Sequence, residues 1–282
     1  MDTAPPSTPL PAQRVIVFDS GIGGITILSA LKVQAPGLNI GYAADTGFFP
    51  YGDKSDAALS VRVPDVAEAL VAATRPDIFV IACNTASTLA LDAVRARLDI
   101  PVIGTVPAIK PAAAATATKT IGLLATPGTL GRPYTARLIA DHALGVRVLT
   151  HGSVELVRLA ERHAAGEEVR VDQVAGAQAP LFAQAGAEDI DTIVLACTHF
   201  PLLRDLLIKA APRPITYIDS GDAIARQTLK VLSETPAPGA LHADIGAWRT
   251  SRGDEEPQLA DALARFGFQS LSEVTVPPAK TG

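Results

Sequence analysis

The chain has 282 residues, 48% of them hydrophobic and 19% charged, with 24 Lys and Arg against 29 Asp and Glu for a formal charge of −5 at pH 7. That length predicts two modest domains of roughly 150 residues rather than one, and the apolar content excludes a disordered chain. The acidic balance argues against a nucleic-acid partner and no apolar run approaches the roughly 18 residues of a membrane span, while the N-terminus lacks the basic-then-apolar plan of an export signal, so a cytoplasmic protein with neither nucleic acid nor membrane as partner is expected.

In chain order, residues 1–13 are proline-rich and aperiodic, the pattern of a disordered tail. From Arg14 onward short β-branched apolar runs predict buried parallel strands at 15–18, 39–44, 77–82, 101–106, 120–125, 146–150 and 191–196. Between them, apolar residues spaced i, i+3/i+4 predict helices over 22–34, 55–74, 85–98, 132–143, 153–165, 171–185 and 201–211. Strand and helix in strict turn mean an α/β fold with right-handed crossovers. Two internal echoes, VIACNTAS (80–87) with VLACTHFP (194–201) and FDSG (18–21) with IDSG (218–221), suggest two similar lobes with their cleft as the active site, each lobe a mainly parallel sheet flanked by helices. The first lobe is placed at 14–105 plus 214–282 and the second at 106–213, with 233–241 a loop before a last α/β unit that ends in LSEVTV.

In open α/β sheets ligands bind beyond the carboxyl ends of the strands, where helix N-termini and turn amides converge. Asp19-Ser20-Gly21, Asp45-Thr46-Gly47 with Pro50-Tyr51-Gly52, Cys83-Asn84-Thr85 and Cys197-Thr198-His199 all occupy that position. Taken singly, each has a plain structural reading: the aspartates cap turns, the glycines permit tight packing, and a free cysteine fills a core. The chain has only two cysteines, however, and both open a polar turn at a strand end, where a helix dipole favours a thiolate. His199, two residues beyond Cys197, is a candidate to hold or supply a proton. Structural zinc needs paired ligands of the C-x2-4-C kind, which this chain lacks. A Cys–His nucleophile would use one thiol and leave the other unexplained. Inverting a stereocentre by proton transfer needs a base on one face and an acid on the other, and two thiols provide both.

The motifs FDSGIGGITIL (18–28), ADTGFFPYGDKS (44–55), IACNTAST (81–88), LLATPGTLGRPYT (123–135), LACTHFPLL (195–203) and IDSG (218–221) together resemble the glutamate racemases of the cofactor-independent aspartate/glutamate racemase superfamily. The resemblance implies that Cys83 takes the α-proton from D-glutamate and Cys197 takes it from L-glutamate, assisted by Asp19 and His199 respectively. It implies that Asp19, Ser20, Asp45, Pro50, Tyr51, Gly52, Asn84, Thr85 and Thr198 belong to the substrate-binding set, Asp45 by organising the pocket. The family's glutamate near the second thiol aligns with Glu161, Glu155 being a neighbour in a degenerate motif. Arg132-Pro133 stands where many members carry a serine, as in a proteobacterial-type subset, and bears on regulation and assembly. The implied partners are glutamate, a second copy in a homodimer and a cell-wall nucleotide precursor as activator; the implied role is D-glutamate supply for peptidoglycan.

No lysine lies in a pyridoxal-binding pattern and G-I-G-G lacks the spacing of a nucleotide cradle, so catalysis without cofactor or metal is expected. Three other readings stay open: a racemase for aspartate or a related amino acid, a Cys197–His199 hydrolase and a two-lobed amino-acid binder. Mutation separates them by class, since a racemase needs both thiols, a hydrolase one and a binder neither.

Overall fold

Strands built from Val, Ile and Phe on both faces must be covered on both faces, and this requirement organises the protein. The computed structural model describes residues 13–235, 245–251 and 256–277. In it the seven expected strands form as β1 (Arg14–Asp19), β2 (Asn39–Ala44), β3 (Ile78–Ile81), β4 (Val102–Gly104), β5 (Thr120–Ala125), β6 (Arg147–Gly152) and β7 (Thr192–Leu195). Three short strands join them: β8 (Thr216–Ile218), β9 (Ala247–Arg249) and β10 (Leu271–Glu273). One sheet runs β10-β9-β2-β1-β3-β4 and the other β6-β5-β7-β8, with every described pairing parallel. Alternation along β1 feeds two cores. Val15 and Val17 pack with the helices Ile25–Gln34 and Gly221–Glu234, whereas Ile16 and Phe18 pack with Asp56–Thr74 and Asn84–Arg97.

Register places the functional turns. Phe18 lies opposite Ile81 and Asp19 opposite Ala44, so the chain leaves β1, β2 and β3 along one edge. In the second sheet Leu124 lies opposite Leu195, which brings the turns after β5 and β7 to a common edge in the same way.

Several expectations are corrected. Gln13, assigned to the tail, is buried and donates to the carbonyls of Leu232 and Thr235, each at 3.1 Å; residues 1–12 lie outside the described residues. β8 pairs with β7, so the second sheet extends through Ile218 and the return to the first lobe comes after it instead of at 214. The helices Ile109–Ala115 and Gly221–Glu234 were not expected, the first because its alanine run gives no periodic contrast. Of the loop expected at 233–241, Ser233 and Glu234 finish a helix and residues 236–241 lie outside the described residues. The cysteine echo does mark equivalent strands, because β3 and β7 hold the same place in their sheets. The DSG echo does not: β1 is internal and β8 is an edge. What the two DSG segments share is local, an aspartate accepting a nearby backbone N–H: Ser20 to Asp19 Oδ1 at 2.6 Å and Gly221 to Asp219 Oδ1 at 2.7 Å.

The crossing into the second sheet is tied down by Asp191, just before β7, whose Oδ2 accepts N–H bonds from Ala117 (2.7 Å) and Thr118 (3.0 Å). Burial opposes its charge, but hydrogen bonds from Thr116, Thr118, Ala117 and Thr192 prevail and hold its pKa at about 2. A depressed carboxylate pKa contributes stability that is complete above its unfolded value of about 3.9 and fades as pH falls through the folded one. Asp191→Asn is therefore expected to lower the thermal midpoint at pH 7, with the gap from the parent closing between about pH 4 and pH 2, as calorimetry over that range would record.

Candidate active site

Asp19 ends β1 fully buried, and a carboxylate in such a place needs donors on all sides. Its Oδ1 accepts the N–H of Ser20, and its Oδ2 accepts the hydroxyl of Thr198 from the other sheet at 3.0 Å. Burial raises its pKa from the ordinary aspartate value, against the pull of His199, Ser20, Cys83 and Thr198. Cys83 follows β3, and its backbone carbonyl accepts the N–H of Ser87 at 2.9 Å as the helix Asn84–Arg97 begins. Burial, followed by the charge of Asp19, pushes its thiol well above the ordinary range, so Cys83 rests protonated.

Cys197 follows β7 and has a different neighbour. Its Sγ lies 3.8 Å from His199 Nδ1, and His199 Nε2 lies 2.6 Å from Glu161 Oε1. Burial alone would lower the histidine pKa, but the bonds to Cys197 and Glu161 outweigh it and hold the ring well above 6.5 as an imidazolium. Both ring nitrogens then donate. Glu161 comes from the helix Val154–Ala165 and also accepts the N–H of Ile22 at 2.9 Å, joining the lobes behind the histidine. Glu155, the neighbour in sequence, lies on the surface beside Arg158.

Two glycines after β1 make room for this arrangement. A Cβ on Gly23 would stand 2.4 Å from His199 Nδ1, and one on Gly21 would stand 2.4 Å from Glu161 Oε1 and 2.7 Å from the Phe49 ring.

Asp45 is also fully buried, but it is not part of the cleft lining. Tyr51 donates to it at 2.7 Å, Arg62 at 2.6 and 2.9 Å and Thr250 at 2.5 Å, which leaves its carboxylate no free acceptor site of consequence. Asp45 thus holds the Pro50-Tyr51-Gly52 turn from behind and does not itself line the pocket, which is a pocket-organising place within the expected substrate-binding set.

The cleft between the sheet edges is lined by Ser20, Cys83, Asn84 and Thr85 from one side and by Cys197, Thr198 and His199 from the other. Pro50, Tyr51 and Gly52 close a third side. Asp19 and Glu161 stand behind the lining, one at each thiol's support. Phe49, Asp53, Thr126, Val154 and Val157 also line it and were missed; Thr126, at the end of β5, was accessible to the same strand-end rule. Among the described residues no lysine or arginine reaches the lining, which leaves His199 as its cation, and the buried Oδ1 of Asn84, an acceptor with no partner in the protein, is free to take a donor such as an ammonium. The cavity is about 20 Å³, the dimension of a closed cleft. Among the described residues no group of three or more His, Cys, Asp and Glu could hold a metal ion, and no helix is long and apolar enough to cross a membrane.

The Asp/Glu/Hydantoin racemase family matches residues 30–228. The chain is 43% identical to a glutamate racemase of Escherichia coli over 274 residues, 97% of this chain and 94% of that one. Among solved structures, E. coli glutamate racemase in complex with L-glutamate and the activator UDP-MurNAc-Ala superposes with a TM-score of 0.89 at 42% identity, covering 95% of this chain and 100% of the other. Glutamate racemase isoform RacE1 from Bacillus anthracis superposes with a TM-score of 0.73 at 28% identity, covering 95% and 99%. The chain belongs to the Asp/Glu/Hydantoin racemase family.

Proposed function

We propose that this protein interconverts L- and D-glutamate by passing the α-proton to one thiol and returning a proton from the other on the opposite face of the carbon. The observation that carries the reading is that Cys83 and Cys197 close equivalent strands of two sheets and line one cavity, each with its own ionisable support. The identity to glutamate racemases supports the substrate.

In the L to D direction Cys197 takes the α-proton. For this step Cys197 enters as the thiolate, with the imidazolium of His199 3.8 Å away balancing its charge, and becomes the thiol as the α-proton arrives. Cys83, protonated at rest, gives its proton to the opposite face, and the dipole of the helix it begins stabilises the sulfur charge left behind. In the reverse direction Cys83 is the base, with Asp19 beside it to hold the thiol proton. Ser20, Asn84, Thr85 and Thr198 hold the ammonium and carboxylates, and fixed donors in a closed cleft stabilise the charge that develops on the α-carboxylate, usually the largest catalytic term. The cavity in its closed form is too small for an amino acid, so the lobes part for entry and exit.

The product serves peptidoglycan synthesis in a bacterial cytoplasm. The chain works as a homodimer and, like the E. coli enzyme crystallised with UDP-MurNAc-Ala, responds to a cell-wall nucleotide precursor.

The direct test incubates purified protein with L-glutamate in D2O under reducing conditions, with and without UDP-MurNAc-Ala, following circular dichroism and α-deuterium. Loss of optical activity with deuterium at the α-carbon is expected; no exchange in either condition overturns the reading and favours a hydrolase using Cys197. Cys83→Ser and Cys197→Ser are each expected to lower turnover by about 10²- to 10⁴-fold while glutamate still binds by calorimetry. Near-parental turnover in either variant rules out two-thiol transfer. Glu161→Gln removes the charge that helps keep His199 protonated, so the alkaline limb of the kcat/KM profile should move to lower pH while the acid limb stays.

A further inference from the structure

The Thr126–Arg132 segment, which follows β5, makes a set of cross-lobe bonds that the proton transfer itself does not use. Thr85 Oγ1 lies 3.1 Å from Thr126 Oγ1 and 3.2 Å from Thr129 Oγ1, and those two are 3.0 Å apart, a buried triangle of hydroxyls with one corner in the first lobe and two in the second. Arg132 completes the grip. Only 4% exposed, it donates through Nη1 to the carbonyl of Thr85 at 3.0 Å and to Thr88 Oγ1 at 3.2 Å. Its Nη2 and Nε donate to Asp56 Oδ1 at 2.9 and 3.3 Å.

A guanidinium buried to this degree loses much of its hydration and requires good partners. Asp56 supplies only part of that requirement, because its side chain is 62% exposed and a half-solvated ion pair contributes little. The remaining bonds go to Thr85 and Thr88. Both the carbonyl and the hydroxyl of Thr85, two residues after Cys83, are therefore held from the opposite lobe. The holding segment is itself stiff: Thr126 caps its own turn through the N–H of Thr129 at 3.2 Å, and Thr135 Oγ1 donates to the carbonyl of Thr129 at 2.6 Å. Backbones meet closely alongside, since a Cβ on Gly128 would stand 3.0 Å from the carbonyl oxygen of Gly52.

We infer that Arg132 is a positioning residue: from the second lobe it fixes the Cys83-Asn84-Thr85 turn, so that the geometry of the first-lobe thiol is completed only when the cleft is closed. The inference rests on the racemase reading above and adds a residue that touches neither substrate nor thiol. Parting the lobes breaks the hydroxyl triangle and the Arg132 bonds together, and closing them restores both together. The latch is therefore a device for making alignment and closure one event.

The test compares the parent with Arg132→Met, Arg132→Lys and Asp56→Asn at saturating L-glutamate, beside thermal melting and hydrogen exchange of peptides covering residues 84–90 and 126–132. Racemisation by the parent in the same assay secures the underlying reading, so a failure of the latch is seen apart from it. Arg132→Met should lower kcat by about 10²-fold, the scale of an ångström's misplacement, with a KM within a few-fold of the parent and faster exchange in both peptides. Arg132→Lys, which reaches one partner where the fork reaches several, should recover part of the loss. Asp56→Asn keeps the Thr85 contact and should stay within about twofold of the parent. A parental kcat in Arg132→Met, or a loss that falls on KM with exchange unchanged, overturns the inference. If Arg132→Met does not fold, Arg132→Lys decides: a folded protein with parental kcat and exchange overturns it, and reduced kcat with faster exchange at 84–90 supports it.

Discussion

Two sulfurs lie buried in a closed cleft, and each has beside it an ionisable group that is itself out of water. A lone ion there would be neutralised by its surroundings, so every charge in this site is propped by another group. Asp19 takes donors from Ser20 and Thr198, His199 leans on Glu161, and Glu161 takes the N–H of Ile22. The props cross between the lobes. Asp19 belongs to the first sheet and Thr198 to the second, while Glu161 reaches from the second lobe to Ile22 in the first. The electrostatic arrangement is complete only when the two halves meet, and dryness and charge stabilisation arise together.

The glycines and the outer aspartate serve the same end. Gly21 and Gly23 lack side chains where Glu161, Phe49 and His199 come within van der Waals range. Asp45 holds no ligand but fixes the turn that walls the cleft, using partners at 51, 62 and 250. The fold places these residues by strand register, and the supports then lock them.

Much of this was legible in the sequence because the fold is regular. Buried parallel strands announce themselves as continuous apolar runs, and the residue after each run falls at the ligand-binding edge, which is how Asp19, Cys83, Cys197 and His199 could be singled out. Partners contributed by distant segments could not be read that way. The roles of Glu161 and Glu155 depend on which face of one helix meets the cleft, and both sit among alternating charged residues. Asp45 also follows a strand, but the means by which it organises the pocket wall, the convergence of Tyr51, Arg62 and Thr250, lies in distant segments. β8 was missed because a three-residue edge strand carries little pattern. The DSG echo misled for a physical reason: aspartate followed by serine and glycine makes the same tight turn wherever it occurs, so the likeness belongs to turn chemistry and not to a repeated unit.

The two thiols are supported by unlike chemistry, a carboxylate at Cys83 and an imidazolium at Cys197. Mirror-image substrates have equal free energies in water, so this inequality has no influence on the final ratio of products. It acts on the empty protein instead. Burial favours the arrangement in which Cys83 carries its hydrogen, and under the proposed two-thiol transfer a turnover in one direction leaves the other arrangement behind. Before the next molecule of the same hand can react, the protein must exchange those protons with solvent. The unlike supports thus divide each cycle into a step on the substrate and a recovery step on the free protein, and at high substrate concentration the second can govern the speed.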